Sequence, residues 1–187
     1  MKHIAIFASG KGTNAKAIIE HFENDATIKV VLVITNNPSA GVLKVAHDHK
    51  IISAIVNKDS LNKEEMMMKL LHAQKIDLIV LAGFLQLIPA YLLQNFPKKI
   101  INIHPALLPK HGGKGMYGIK VHQAVLANKE SETGITVHYV NEVYDDGEIL
   151  LQKKIDVTSD DTTETLSAKV QQLEHEWYVK AIEEVLQ

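Results

Sequence analysis

Apolar residues fall along the chain in two alternating rhythms. Short, nearly unbroken apolar runs, His3 to Ala8, Lys29 to Thr35, Ile51 to Val56, Ile76 to Ala82 and Lys99 to Ile103, read as strands buried on both faces. Between them lie segments with helical spacing: Thr13 to Phe22, with Ala17, Ile18 and Phe22 on one stripe; Gly41 to Lys50; Leu61 to Gln74, with Met66, Leu70 and Leu71 on one face; and a short helix, Ile88 to Asn95, begun by Pro89. Strands alternating with such helices predict a parallel sheet covered on both faces. Beyond residue 103 the rhythm changes. Pro105 to Gly118 carries two prolines and four glycines and reads as a loop, followed by a helix over Ile119 to Asn128. Thr133 to Val140 alternates Ile135, Val137 and Tyr139 against Thr136 and His138, the pattern of an antiparallel strand with one wetter face. Gly147 to Val157 continues it, and Thr162 to Leu186 is one long helix opened by the cap Asp160-Asp161-Thr162. The expected fold is α/β: a doubly wound, mostly parallel sheet extended by an antiparallel hairpin and a long C-terminal helix, as a single domain over residues 1–187.

Composition removes several kinds of chemistry. There is no cysteine, which excludes disulfides, thiolate nucleophiles and Cys-ligated zinc. All 20 residues of the Lys+Arg count are lysine, so an anion must be held by backbone amides, Lys, His or hydroxyls rather than by a guanidinium fork. A formal net charge of -2 gives no electrostatic footprint for nucleic acid. No apolar run reaches membrane-spanning length, and Met1 to Phe7 is too short to be a signal peptide. A cytoplasmic protein with small-molecule partners, no nucleic acid and no membrane is expected, working as a monomer or weak homodimer. His47-Asp48-His49 invites a metal, but residues two apart on a helix face different ways, and no metal is assigned.

Ser9-Gly10-Lys11-Gly12-Thr13-Asn14-Ala15 follows a strand and opens a helix, so its amides and the positive end of the helix dipole form an anion site. The spacing of Gly10, Gly12 and Ala15 also fits a loose dinucleotide fingerprint, but the next strand ends in Asn36-Asn37 rather than in an acid. A plain tight turn is the bland alternative. At Asn102-Ile103-His104-Pro105 an amide and an imidazole stand two residues apart at the carboxyl end of a strand, on the same side of it. Asn102 offers an N–H to a developing oxyanion, and His104 titrates near neutral pH; a turn or helix cap is the alternative. A carboxylate to orient the histidine is available in Val143-Tyr144-Asp145-Asp146-Gly147, at the tight connection between the last two strands. An ordinary Asp-Gly turn there is equally compatible with the pattern, and spacing does not choose between the two acids.

Four strings together resemble the phosphoribosylglycinamide formyltransferase family over essentially the whole chain: Ser9-Gly10-Lys11-Gly12-Thr13-Asn14; Val80-Leu81-Ala82-Gly83-Phe84; Asn102-Ile103-His104-Pro105-Ala106-Leu107-Leu108-Pro109; and Asp145-Asp146-Gly147 followed by Ile149 to Gln152. The resemblance implies formyl transfer from 10-formyltetrahydrofolate, a cosubstrate, to the amine of glycinamide ribonucleotide in purine biosynthesis, without a metal. It implies a nucleotide-binding half over residues 1–100 and a catalytic and folate-binding half over 101–187. Gly12, Thr13 and Asn14 would bind the substrate phosphate, Asn102 would stabilise the oxyanion, His104 would carry the proton, and Asp145 rather than Asp146 would orient it. Leu85, Gln86, Leu87 and Ile88, with Asn102, would line the folate pocket. Gln171 and Glu174 would lie near the ribonucleotide.

The chain departs from the family pattern at two arginine positions, occupied here by Gln86 and Lys63, which bears on how a folate glutamate tail is held. Lys110 to Gly118 is longer than in some relatives and reads as a mobile lip. Methionyl-tRNA formyltransferase shares the Asn-x-His core but needs a further domain and a basic face. Formyltetrahydrofolate deformylase and the sugar N-formyltransferases share it without requiring the glycine loop. A catalytically silent nucleotide-binding module would have lost the Asn, His or Asp.

Overall fold

A computed structural model describes residues 1–187. Five parallel strands, β1 (Lys2–Phe7), β2 (Ile28–Thr35), β3 (Ile52–Ile55), β4 (Leu78–Leu81) and β5 (Ile100–His104), are followed by β6 (Glu132–Tyr139) and β7 (Ile149–Asp156), which pair antiparallel. The sheet order is β3-β2-β1-β4-β5-β6-β7. The chain winds outward in one direction from β1 and then restarts at β4, so the crevice between the carboxyl ends of these two strands is the switch point where α/β sheets take ligands.

Side chains alternate across the strands and feed two cores. Ile4, Ile6, Leu78 and Val80 pack beneath α1 (Thr13–Phe22), α2 (Val42–Asp48) and α7 (Thr163–Leu186). Ala5, Phe7, Ile79 and Leu81 face α4 (Glu64–Ala73) and α5 (Ala90–Asn95) on the other side. A bulge in β2, opposite the Ile4/Ala5 step, leaves Val31 without a partner on β1 and lets Val30 and Leu32 still face opposite cores. α7 is fastened by Tyr178, fully buried, whose hydroxyl lies 2.8 Å from the Leu81 carbonyl and 3.2 Å from that of Ile101. That contact ties the last helix to the end of β4 and the first half of β5 and holds its upstream turns over the switch point.

Four details differ from the sequence pattern. The helix expected over Leu61 to Gln74 is two: α3 (Lys58–Leu61), opened by a reciprocal cap between Asn57 and Ser60, and α4, before which Lys63 is extended. With α4 starting at Glu64, its inward stripe is Met67, Met68 and Leu71, and Met66 points outward at 45% exposure. β3 lies at the sheet edge, so Ile52 and Ile55 are exposed rather than buried. β6 has no wetter face: residues 105–118 cover Thr136, Asn102 and the segment after β6 enclose His138, and α7 packs on the other side. The Thr136 hydroxyl donates to the Ala106 carbonyl at 2.7 Å and accepts from the Leu108 amide at 3.0 Å and from Gln152 at 2.9 Å. A polar residue is needed there to hold the proline-rich turn. His47 is exposed against Asp48 and His49 lies beside Glu23, and no group of three or more acids and histidines has metal-holding geometry.

Candidate active site

A cavity of about 650 Å³ opens at the switch point, walled by the glycine loop, by residues 81–88 after β4, by the ends of β5 and β6, by the loop over 113–119 and by α7. This volume is ordinary for a small-molecule site. A second groove of about 660 Å³, lined by Lys58, Leu61, Asn62, Leu85 to Ala90, Glu142 and Tyr144, continues from it past the shared segment Leu85–Ile88.

At one end Gly12 precedes α1 with φ 81°, and no side chain caps the helix. The first amides of α1 therefore face the cavity unopposed by protein, next to the positive end of the helix dipole. Glycine is required at 12 on two counts, the left-handed backbone and the approach of Val42, whose Cα would stand 2.8 Å from a Cβ. Gln171 donates to the Thr13 hydroxyl at 2.9 Å and Asn14 donates to Glu174 at 3.0 Å, so α7 and the glycine loop form one wall. Burial pushes the Glu174 carboxyl up to about 7 despite the Asn14 hydrogen bond. The acid missing from the end of β2 is explained by what replaces it. The Ser9 hydroxyl donates to Asn36 and accepts from the Leu85 amide at 2.9 Å, while Asn37 donates to the Ser9 carbonyl. The two asparagines brace the glycine loop against the segment that follows β4.

At the centre stand Asn102 and His104, from adjacent same-side positions of β5, and Asp145. The connection between β6 and β7 is not the tight turn expected from Asp145-Asp146-Gly147 but a loop over residues 140–148. Gly147 passes so close to the Tyr139 carbonyl that no side chain fits, and Asp145, at φ 55°, turns its carboxylate inward. Its Oδ2 lies 3.4 Å from His104 Nδ1 and accepts from the Gly113 amide at 2.9 Å. Burial raises the Asp145 carboxyl, but the His138 and His104 imidazoles beside it and the Gly113 amide outweigh it and hold it below its ordinary value. Asp146 stays on the loop with Asn141. His104 is 3% exposed, and burial lowers its pKa more than Asp145 and the His111 carbonyl raise it, so it is neutral at neutral pH.

The hydrogen bonds fix the tautomers. His104 Nε2 lies 2.7 Å from the His111 carbonyl, which can only accept, so the neutral ring carries its proton on Nε2 and leaves Nδ1 free. His138 Nδ1 lies 2.8 Å from the Tyr139 carbonyl and so carries that ring's proton; its Nε2 accepts from the Asn102 amide nitrogen at 3.1 Å. The same nitrogen donates to Asp145 Oδ1 at 3.3 Å. His138, buried at the carboxyl end of β6, escaped the sequence reading because its place in the alternation marked it as solvent-facing. His122 was also unmarked: it is buried on α6 (Ile119–Ala127), lines the cavity and has Nδ1 without a partner.

The Formyl transferase family profile matches residues 2–182. The chain belongs to the formyl transferase family. Within it, the chain is 42% identical to the chloroplastic phosphoribosylglycinamide formyltransferase of Arabidopsis thaliana over 97% of its length, and spans 64% of that protein. It is 39% identical to phosphoribosylglycinamide formyltransferase of Bacillus subtilis (strain 168), covering all of this chain and 95% of the relative. The crystal structure of glycinamide ribonucleotide transformylase 1 from Geobacillus kaustophilus superposes with a TM-score of 0.89 at 34% identity, over the whole of both chains. The formyl transferase fold thus brings Gly12, Thr13, Asn14, Leu85 to Ile88, Asn102, His104, Asp145, Gln171 and Glu174 onto one cavity wall. It does not bring Lys63 there: that residue lies at the start of α4, outside both depressions, and Lys58 lines the second groove instead.

Proposed function

We propose that this chain transfers the formyl group of 10-formyltetrahydrofolate to the amine of glycinamide ribonucleotide, a step of purine biosynthesis. The observation that carries the reading is the buried His104–Asp145 pair, 3.4 Å apart, in the same cavity as an uncapped helix N-terminus. The second of these suits a phosphate, and the first suits proton transfer at a nearby acyl carbon.

Three lining residues also carry buried polar atoms without protein partners, Asn14 Oδ1, Gln86 Oε1 and His122 Nδ1, which a small side-chain rotation would offer to a ligand. An unpaired buried acceptor costs about 1–3 kcal/mol, a cost removed when a bound N–H or O–H meets it. In this reading Gly12, Thr13 and Asn14 take the phosphate, Gln171 and Glu174 flank the ribose, and Leu85 to Ile88 with Asn102 face the folate. Lys58 in the continuing groove meets the negative tail. Residues 1–100 supply the phosphate site and 101–187 most of the reacting centre.

In the transfer the acceptor nitrogen forms a bond to the formyl carbon, the bond from that carbon to the folate nitrogen breaks, and one proton passes from the acceptor amine to the folate nitrogen. His104 Nδ1 receives that proton, because Nε2 is already committed to the His111 carbonyl. Asp145 stabilises the resulting imidazolium and closes the 3.4 Å separation. Asn102 exchanges its longer contact, 3.3 Å to Asp145, for the oxyanion as Asp145 turns toward His104.

The purified chain, given 10-formyltetrahydrofolate, is expected to release tetrahydrofolate only when glycinamide ribonucleotide is added. Release at the same rate without it would overturn the reading.

A further inference from the structure

We propose that Glu130 and His111 are positioning residues that decide which nitrogen of His104 takes the proton; this rests on the reading of His104 as proton carrier. Glu130 stands in the turn between α6 and β6, well away from the cavity wall. Its Oε2 accepts from Lys110 Nζ at 2.9 Å and its Oε1 from His111 Nε2 at 3.2 Å. The His111 side chain is 9% exposed, held between the loop and the helix turn. Its backbone is left-handed, at φ 56°.

That conformation is unfavourable for a residue with a Cβ and persists only where contacts impose it. Here the side-chain bond to Glu130 imposes it. The same twist directs the His111 carbonyl to His104 Nε2 at 2.7 Å. Two residues on, the Gly113 amide is pinned to Asp145 Oδ2 at 2.9 Å, and a side chain on Gly112 between them would have to displace the tip of Leu108. The loop thus grips both members of the pair, and Glu130 sets its pitch from outside.

The consequence is chemical. With the carbonyl in place, neutral His104 is the Nε2–H tautomer and its Nδ1 lone pair is free beside the Asp145 carboxylate. With the carbonyl turned away, the Nδ1–H tautomer, donating to Asp145, becomes the favoured form; the lone pair that takes the proton is then on Nε2, where no protein acceptor remains to hold the resulting N–H.

The test is the nitrogen spectrum of His104 in protein labelled with ¹⁵N-histidine, assigned by difference against His104→Gln, together with steady-state kinetics. Wild type is expected to show Nε2–H alone. Glu130→Ala and His111→Ala are expected to show Nδ1–H as well, with kcat down about tenfold, as when orienting partners are removed from other functional histidines, and KM for either substrate within about twofold. Glu130→Gln keeps an acceptor for His111 and is expected to retain both the wild-type spectrum and kcat. A pure Nε2–H spectrum in the alanine variants, or equal loss in Glu130→Gln and Glu130→Ala, would overturn the proposal. If Glu130→Ala does not fold, His111→Ala and Glu130→Gln make the same comparison. The spectrum is read without substrate, so a chain that changes tautomer yet does not formylate glycinamide ribonucleotide would retain the positioning role and lose the assigned reaction.

Discussion

Asp145 Oδ2 stands 3.4 Å from Nδ1 of His104, and the nitrogen it faces is the one that carries no proton in the neutral ring. The pair is therefore set as a base with its counter-charge in place. Burial lowers the His104 pKa below 6.5, so the base form is populated at neutral pH and is lost as pH falls through that lowered value. The acid limb of the kcat profile is expected below pH 6.5. Asp145→Asn removes the carboxylate charge that raises the His104 pKa; it should move the limb further down and lower kcat by about 10²-fold or more. A limb that stays in place would separate Asp145 from the titration of His104.

Asn102 spends both amide protons on the protein, one on His138 and one on Asp145. Asn102→Ala is expected to lower kcat by about 10²–10³-fold, the usual loss for one oxyanion donor, with a smaller effect on KM. The check is a kinetic comparison at saturating substrate.

Glu174 gives a stability signature. Its folded pKa of about 7 lies above the ordinary 4.5, so its contribution is fully present below pH 4.5 and is lost as pH rises through 7. Relative to wild type, Glu174→Gln should gain about 2 kcal/mol between pH 4 and pH 8, a figure reduced for water in the cavity. Urea melts at the two pH values measure it. Equal shifts at both would contradict a carboxyl held neutral by burial.

The second groove distinguishes two lysines. Lys58→Ala is expected to raise KM for a folate carrying several glutamates about 3- to 10-fold, in line with about 1 kcal/mol for a partly exposed ion pair. Lys63→Ala, on a residue outside the groove, should leave it unchanged. The measurement is KM with mono- and polyglutamylated folate.

Much of this arrangement could be read from the chain because it depends on period and local motif. The period-2 placement of Asn102 and His104 on one side of β5, the glycine at 12 and the alternating strands and helices all follow from short-range rules. What could not be read depends on what comes from elsewhere in the chain to cover a surface. His138 has the spacing of an outward residue and is buried because Asn102 and the 140–148 loop, through Asp145 and Gly147, close over it. Met66 and Met67 exchange places because α4 begins three residues later than the apolar pattern suggests. Asn36 and Asn37 are the wrong residues for a ribose contact, and their work, bracing Ser9, depends on a loop 27 residues upstream. The carboxylate partner came from a loop, 140–148, whose length the Asp-Gly pattern understates.

The most direct test of the central reading is a competition assay. The purified chain is given 10-formyltetrahydrofolate labelled with ¹³C in the formyl group, together with glycinamide ribonucleotide, an amino sugar phosphate and water as acceptors, and the label is followed by NMR. The account predicts that the label appears on the glycine nitrogen of glycinamide ribonucleotide and that His104→Ala abolishes its transfer. Label released as formate, or carried by the amino sugar, would contradict it.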